Sequence, residues 1–441
     1  MYMSKPSHIY VHRRVFKNSN AVARMNHMLN ALGNPSTETV DESDFERIIN
    51  ESLPFPDLPV LTGGVFIGIE KRQEDPTFLF NTFVWDEVDQ TVVNSESPNP
   101  NIRQLARLFG GAGEDFAFSP PMAIYNLYSN HPGGPPLCNP GWGIHTLLGC
   151  LHKCYYCDKG YLMNIMLDLE DFSTHLEAFL ARTPEQKLFR HDVLSDPICL
   201  EPEYGASRIL NEVFSKTKDQ HLLYYTKSDN VDHLLDLPKE HCIFYSTLST
   251  ETVCREIEKG TPGMAERIEA IRKCKDAGYL VRVGFSPIIP IRGWREEASA
   301  CIEKLFSAVT PELIRLTPLI MMNAAETEIV IGESLLDPIC LEAMRDAAPE
   351  LDDADMFSKP FPTHIRKEIF LHYIKEIKKN SSDTLITLCA EKKIVWDMLK
   401  DHLTMRPDSI YCCCGARSVP ELMPEYLRRS RTKVNSLMEN D

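Results

Sequence analysis

Three cysteines stand at Cys-x3-Cys-x2-Cys spacing in the stretch Gly149-Cys150-Leu151-His152-Lys153-Cys154-Tyr155-Tyr156-Cys157. With 14 cysteines in 441 residues, this one spacing arises by chance only about 0.01 times per chain. Thiolates two or three residues apart on a short loop turn toward a common centre and can wrap one corner of an iron–sulfur cube. Three ligands leave one iron open to something other than protein. A structural zinc site wants a closed set of four, and no second Cys-x2-Cys pair exists in the chain, so zinc would need a remote fourth ligand such as Cys138 or His145.

Elements must hold such a loop in place, and the sequence predicts them. Short β-rich runs alternate with amphipathic helices from about 136 to 320, the grammar of repeated βα units and a parallel sheet. Strands are predicted at Lys187 to Val193, His221 to Lys227, His241 to Leu248, Tyr279 to Ile289 and Leu313 to Leu319. A helix is predicted from Gly263 to Ala277, with Met264, Ile268, Ile271 and Cys274 on one face and Gly278 as its stop. Before this unit, residues 1–135 form an N-terminal α/β region, with a strand at Ile9 to His12, a helix from Asn20 to Leu32 and an apolar run Val65 to Ile69. Pro98 to Asn101 and His131 to Pro140 punctuate its second half. After it, residues 321–441 form a C-terminal α/β extension with a helix at His364 to Lys378 and a strand at Thr384 to Leu388.

Composition narrows the class. A length of 441 residues fits two or three units at ~150 residues each. The net charge of −16 disfavours general coating of duplex nucleic acid, because the phosphate backbone is bound through gathered cations and released counterions. No run of eighteen apolar residues and no secretory core occurs, so a cytoplasmic location and no membrane partner are expected. Many cysteines in a long chain of that kind read as reduced thiols serving burial or metal ligation.

The cysteine spacing, with the aromatic Tyr156 just before the third cysteine, resembles the radical S-adenosylmethionine (SAM) superfamily. Within it, four stretches resemble the spore photoproduct lyase family: Tyr225 to Leu235, Ser246 to Ser249, Glu258-Lys259-Gly260-Thr261-Pro262, and Pro287 to Trp294. The likeness extends more thinly to the N-terminal strand and helix and to Leu388-Cys389-Ala390-Glu391 with Val395-Trp396. The resemblance implies an α/β fold, an incomplete (β/α)6-type radical SAM barrel. It implies a [4Fe–4S] cluster on Cys150, Cys154 and Cys157, with SAM at the open iron. It also implies reductive SAM cleavage fed by a flavodoxin- or ferredoxin-like one-electron donor, followed by hydrogen abstraction from carbon. Lys227 is then expected at the SAM carboxylate, with Tyr156, Ser195 and Ser246 also contacting the cofactor. Each of these side chains alone reads as well as a solvated rim lysine or a turn hydroxyl.

The sequence also departs from that family. The lyase has a hydrogen-returning cysteine three residues before the Asp that matches Asp196; Val193 stands there. Asp158 replaces the aromatic that follows the third cluster cysteine. Cys199, six residues on, reads as a buried thiol. The expected function is hydrogen abstraction from an unknown substrate. The alternatives are a photoproduct lyase with a relocated donor and a non-catalytic, metal-stabilised binding protein. Cys412, Cys413 and Cys414 could share a second metal with Cys389 or serve as core, whereas Cys242, Cys254, Cys274, Cys301 and Cys340 read as core. Gly110 to Gly113 lacks the Lys-Ser/Thr of a phosphate loop. His152 is expected at the solvent or the barrel rim, His233 and His364 on helices, and Arg428 to Lys433 as a solvated basic tail.

Overall fold

A computed structural model describes residues 5–52, 75–85, 110, 113–120, 136–138, 140–157, 159–160, 162–351 and 359–429. The apolar run Val65 to Ile69, the Pro98 to Asn101 stretch, Asp158 and the basic tail beyond Arg429 lie outside these residues.

The N-terminal part supplies β1 (His8–His12), β2 (Glu38–Val40) and β3 (Thr77–Asn81), then the short β4 (Phe118–Ser119) and β5 (Pro136–Leu137). Around the three cysteines follow β6 (Trp142–Ile144), β7 (Leu147–Leu148), β8 (Lys153–Cys154) and β9 (Leu162–Met166). The chain then lays down β10 (Leu188–His191), β11 (His221–Thr226), β12 (Cys242–Leu248), β13 (Glu258–Lys259), β14 (Leu280–Ile288) and β15 (Leu313–Pro318). It ends its strand set with β16 (Leu385–Leu388) and β17 (Glu391–Lys392).

The main sheet runs β16-β15-β14-β12-β11-β10-β6-β4. Neighbours from β16 to β6 are parallel, and β4 alone is antiparallel, on β6. This is the expected incomplete parallel barrel, extended by β16 on one edge and β4 on the other. Its strands are buried on both faces, as a sheet covered by crossover helices requires, with β11, β12 and β15 nearly solid Leu, Ile, Phe, Tyr and Thr. The helix Met264–Asp276 buries Met264, Ile268, Ile271 and Cys274, the stripe read from the sequence, and Gly278 follows it at φ +101°. The helix Thr363–Asn380 likewise buries Ile365, Ile369, Tyr373 and Ile377.

A second sheet, β2-β1-β3-β9-β7, packs its own core of Val11, Val15, Met28, Phe78 and Met163. Pairing therefore runs across both expected boundaries. β7 and β9, on either side of the cysteine loop, belong to the sheet begun by β1, while β4 and β16 join the barrel sheet from regions before and after it. The physical reason is edge protection: a strand leaves no unpaired ladder when a distant segment completes it.

One interior position sets the barrel's tightness. Gly284 on β14 faces the Tyr245 hydroxyl, and an added Cβ would overlap that oxygen. The hydroxyl itself has no hydrogen-bond partner among the described residues. Gly284→Ala is expected to lower stability by about 1–3 kcal/mol through overpacking, read as a lower urea midpoint. Adding Tyr245→Phe removes the nearest obstructing atom but keeps the ring carbon that the Cβ would meet at 2.7 Å, so it should recover only part of the loss; a double variant no better than Gly284→Ala would show that the hydroxyl adds nothing to the clash.

Candidate active site

The cysteine loop is fastened at four points. Gly149, at φ +93°, lets the chain turn in where a side chain would meet the Leu162 carbonyl. Cys150 N–H donates to Gly160 O at 2.9 Å and Tyr155 N–H to Ile257 O at 3.1 Å. β8 pairs with β13, setting Cys154 opposite Glu258 and Lys153 opposite Lys259. Cys150 and Cys154 are buried, and Cys157 is half-buried with Lys159 N–H on its sulfur at 3.4 Å. Burial pushes the Cys154 thiol up, and Glu258 adds to that, with Cys157 and Cys150 contributing less. Three thiols on one short loop are a donor set that a cationic iron–sulfur core would take up as thiolates.

Glu258 is the hub beneath this loop. It is fully buried, and its carboxylate accepts from Arg267 at 2.6 Å, from Ser249 at 2.9 Å and from the Tyr156 hydroxyl, with Lys227 Nζ 3.1 Å away. Burial would raise its pKa, but Lys227, Arg267 and the two side-chain hydrogen bonds outweigh that and hold the carboxyl well below the usual range. Two cations against one carboxylate leave a surplus positive charge.

Lys227, at the C-terminal end of β11, also donates to Thr247 Oγ1 at 2.8 Å and to Ser286 O at 3.1 Å. Its ammonium lies 6.0 Å from the Tyr156 ring centre. Asp196 braces the same strand end: it accepts from Thr226 Oγ1 and from Lys227 N–H, each at 2.7 Å. The Ser195 and Ser246 hydroxyls are buried atoms without hydrogen-bond partners among the described residues. The structure thus gathers Cys150, Cys154, Cys157, Tyr156, Lys227, Ser195 and Ser246 around the C-terminal ends of the barrel strands. Orphaned hydroxyls beside Lys227 suit the carboxylate, amino and ribose groups of a sulfonium cofactor, so the residues present fit both the cluster and SAM.

One expectation changes. His152 is not at the rim: it is 3% exposed, pinned between Gly260 O at 2.9 Å and Asp196 Oδ2 at 3.1 Å. Asp196 is a buried carboxylate already held by Thr226 and Lys227 N–H, and the loop histidine adds a third contact to it. Cys199 is a buried thiol as read, yet its sulfur lies 3.4 Å from His152 Nε2, and burial followed by Asp196 keeps it well above its ordinary pKa. His152, Asp196 and Cys199 bring ligand-type atoms within 4.8 Å of one another.

Glu258 and Arg267 carry no expected role in the sequence. A signal existed for Arg267, a charged residue on the buried stripe of the helix Met264–Asp276, and for Glu258, which opens the Glu-Lys-Gly-Thr-Pro turn. A second arrangement, His145 bonded to the Asp192 carboxylate and 2.7 Å from Ser119 Oγ, joins the ends of β4, β6 and β10.

Comparison with known proteins agrees with this geometry. Residues 140–321 match the family model described as spore photoproduct lyase. Spore photoproduct lyase of Bacillus subtilis (strain 168) is 27% identical over 181 residues, 39% of this chain and 53% of that protein. That of Geobacillus sp. (strain Y412MC61) is 26% identical over 164 residues, 35% of this chain and 48% of the relative. The chain spans about half the length of these curated relatives. Among solved structures, spore photoproduct lyase complexed with dinucleoside spore photoproduct aligns with TM-score 0.57 at 14% identity, over 87% of this chain and 99% of that one, which establishes a shared fold.

Proposed function

We propose, from the premise that residues 140–321 belong to the spore photoproduct lyase-like family of radical SAM enzymes, that this chain abstracts hydrogen from a substrate carbon. The observation that carries this reading is the three-thiol loop held at the C-terminal ends of the barrel strands, the mouth at which barrel enzymes place their chemistry. Cys150, Cys154 and Cys157 would hold a [4Fe–4S] cluster, and Lys227, Ser195, Ser246 and Tyr156 would meet SAM. When bound, the pair supplies an electron and a 5′-deoxyadenosyl group able to take hydrogen from an unactivated carbon.

The chain's own residues prepare that site. Glu258 holds Lys227 and Arg267 at fixed positions and leaves a net cation for a carboxylate to meet. Asp196 locks the end of β11, and through His152 it ties the cysteine loop to the barrel. At the position where the lyase family returns hydrogen, Val193 offers no S–H bond, which supports a substrate other than the thymine dimer. The net charge of −16 points the same way. Among the described residues no helix is long and apolar enough to cross a membrane, and free thiols at all 14 cysteines suit a reducing, cytoplasmic setting with a small redox protein as electron donor.

The test is anaerobic reconstitution followed by reduction in the presence of SAM. Release of 5′-deoxyadenosine is expected; bound zinc with no 5′-deoxyadenosine would instead support a metal-stabilised binding protein. One observation favours a second reading, a repair lyase with a relocated donor: Cys199 is a buried thiol whose sulfur lies 3.4 Å from Nε2 of His152 in the cysteine loop. Turnover of dinucleoside spore photoproduct that disappears in Cys199→Ala would establish it, and no turnover would remove it.

A further inference from the structure

The seam that closes the barrel sheet carries thiols that the cysteine loop does not use. β5 pairs with β17, Leu137 opposite Glu391 and Pro136 opposite Lys392, so at the end of that ladder Cys138 comes level with Ala390, one residue from Cys389. Two residues on, Pro140 bridges Gly415, and Gly141 N–H donates to Cys414 O at 2.7 Å, which draws the Cys412 to Cys414 run to the same place. A Cβ on Gly415 would stand 3.0 Å from Cys412 Sγ, whereas Cys413 Sγ turns away to Val283 O at 3.9 Å. Four cysteines from three distant parts of the chain are therefore brought to one place in the fold.

Two arginines lie beside them, Arg315 buried and Arg190 half-buried. Arg315 on β15 is 5% exposed, lies over the Tyr225 and Tyr245 rings at 5.2 and 5.0 Å, and keeps its Nε without a partner among the described residues. Arg190 on β10 donates Nε–H to Gly141 O at 2.8 Å.

We propose that Cys138, Cys389, Cys412 and Cys414 hold a second metal centre of four thiolate ligands, either a zinc ion or an iron–sulfur cluster. Four thiolates around Zn2+ or a [4Fe–4S]2+ core leave a net charge of about −2. Arg190 and Arg315 offset that charge, and a buried ionic group persists only when so compensated. The centre stitches the chain ahead of β6 to the chain after β16, across the open side of the barrel. Its ligands share nothing with the loop Cys150 to Cys157, so it stands or falls separately from the radical SAM reading.

The experiment uses the full chain carrying Cys150→Ala, Cys154→Ala and Cys157→Ala, which removes the first site. Purified anaerobically and supplied with zinc or with iron and sulfide, it is expected to retain about one zinc or about four irons per chain with sulfur-only coordination by X-ray absorption. Adding Cys389→Ser or Cys414→Ser should bring the metal to background, whereas Cys413→Ser should leave it unchanged. To separate ligand loss from misfolding, alkylation of the otherwise unaltered protein is mapped by mass spectrometry. Cys389 and Cys414 should be protected until a chelator is added. Retained zinc or retained iron each supports the centre and identifies its metal; no retained metal, or metal indifferent to Cys389→Ser and Cys414→Ser, overturns it.

Discussion

Cys154→Ala is expected to abolish 5′-deoxyadenosine release, to the level of a protein-free control, and to lower the iron content by one cluster's worth. Two thiolates cannot hold the corner of a cube that three secure, and no neighbour can step in. Cys199 is the nearest other thiol to the loop, but it is fully buried against His152 and Asp196 and kept protonated. The fold should survive, because Cys154 occupies a two-residue strand whose backbone pairing to Glu258 does not need the sulfur. Far-UV circular dichroism should therefore match the unaltered chain. A variant that still cleaves SAM would refute Cys154 as a ligand, and one that unfolds would show a structural role instead.

Glu258→Gln is expected to destabilise the protein by about 3–5 kcal/mol, the loss found when one partner of a buried ion pair is removed. That is a large share of a typical ~5–15 kcal/mol total. Arg267 is wholly buried, and its partners after the change would be neutral oxygens alone, namely Pro262 O, Thr247 O, the Thr261 hydroxyl and the new amide oxygen. Combining Glu258→Leu with Arg267→Met should recover part of the loss, since the wholly buried charge is then gone and only the partly exposed Lys227 has lost its partner. The pH dependence follows from the depressed pKa of Glu258. Its stabilisation is fully present above the unfolded carboxyl pKa of about 4.3 and fades as pH falls below that toward the folded value. The acid limb of a stability–pH curve should accordingly flatten in Glu258→Gln. Equal melting temperatures and equal acid slopes in the two proteins would remove the hub from the account.

Much of the barrel was legible because its signals are local. The predicted strand at His221 to Lys227 is β11, that at Tyr279 to Ile289 is β14, and the Met264, Ile268, Ile271, Cys274 stripe is buried as its spacing required. The three cysteines were legible for the same reason, since their spacing is a property of one short segment. What escaped depends on partners far away in the chain. Nothing in Leu162 to Met166 says that β9 will lie beside Thr77 to Asn81. Nor does the turn at Glu258 reveal that Lys227 and Arg267 converge on it, because a buried charge is recognisable only once its counter-ions are placed. His152 was misjudged on this ground: its neighbours in sequence are ligands, whereas its acceptors come from Gly260 and Asp196. Cys138 drew attention only as a remote zinc ligand, and its pairing with the Cys389 end of the chain follows from the β5–β17 ladder.

The placement of β7 and β9 has one more consequence. The loop between them leaves the N-terminal sheet at Leu148 and returns to it at Leu162, so its two feet rest on a platform built by β1 and β3 rather than on the barrel it serves. Excising residues 140–321 as a minimal catalytic piece would keep every sulfur and lose that platform. The amputated rim would have no fixed span, and β1 and β3 are in this sense scaffolding for the cysteine loop.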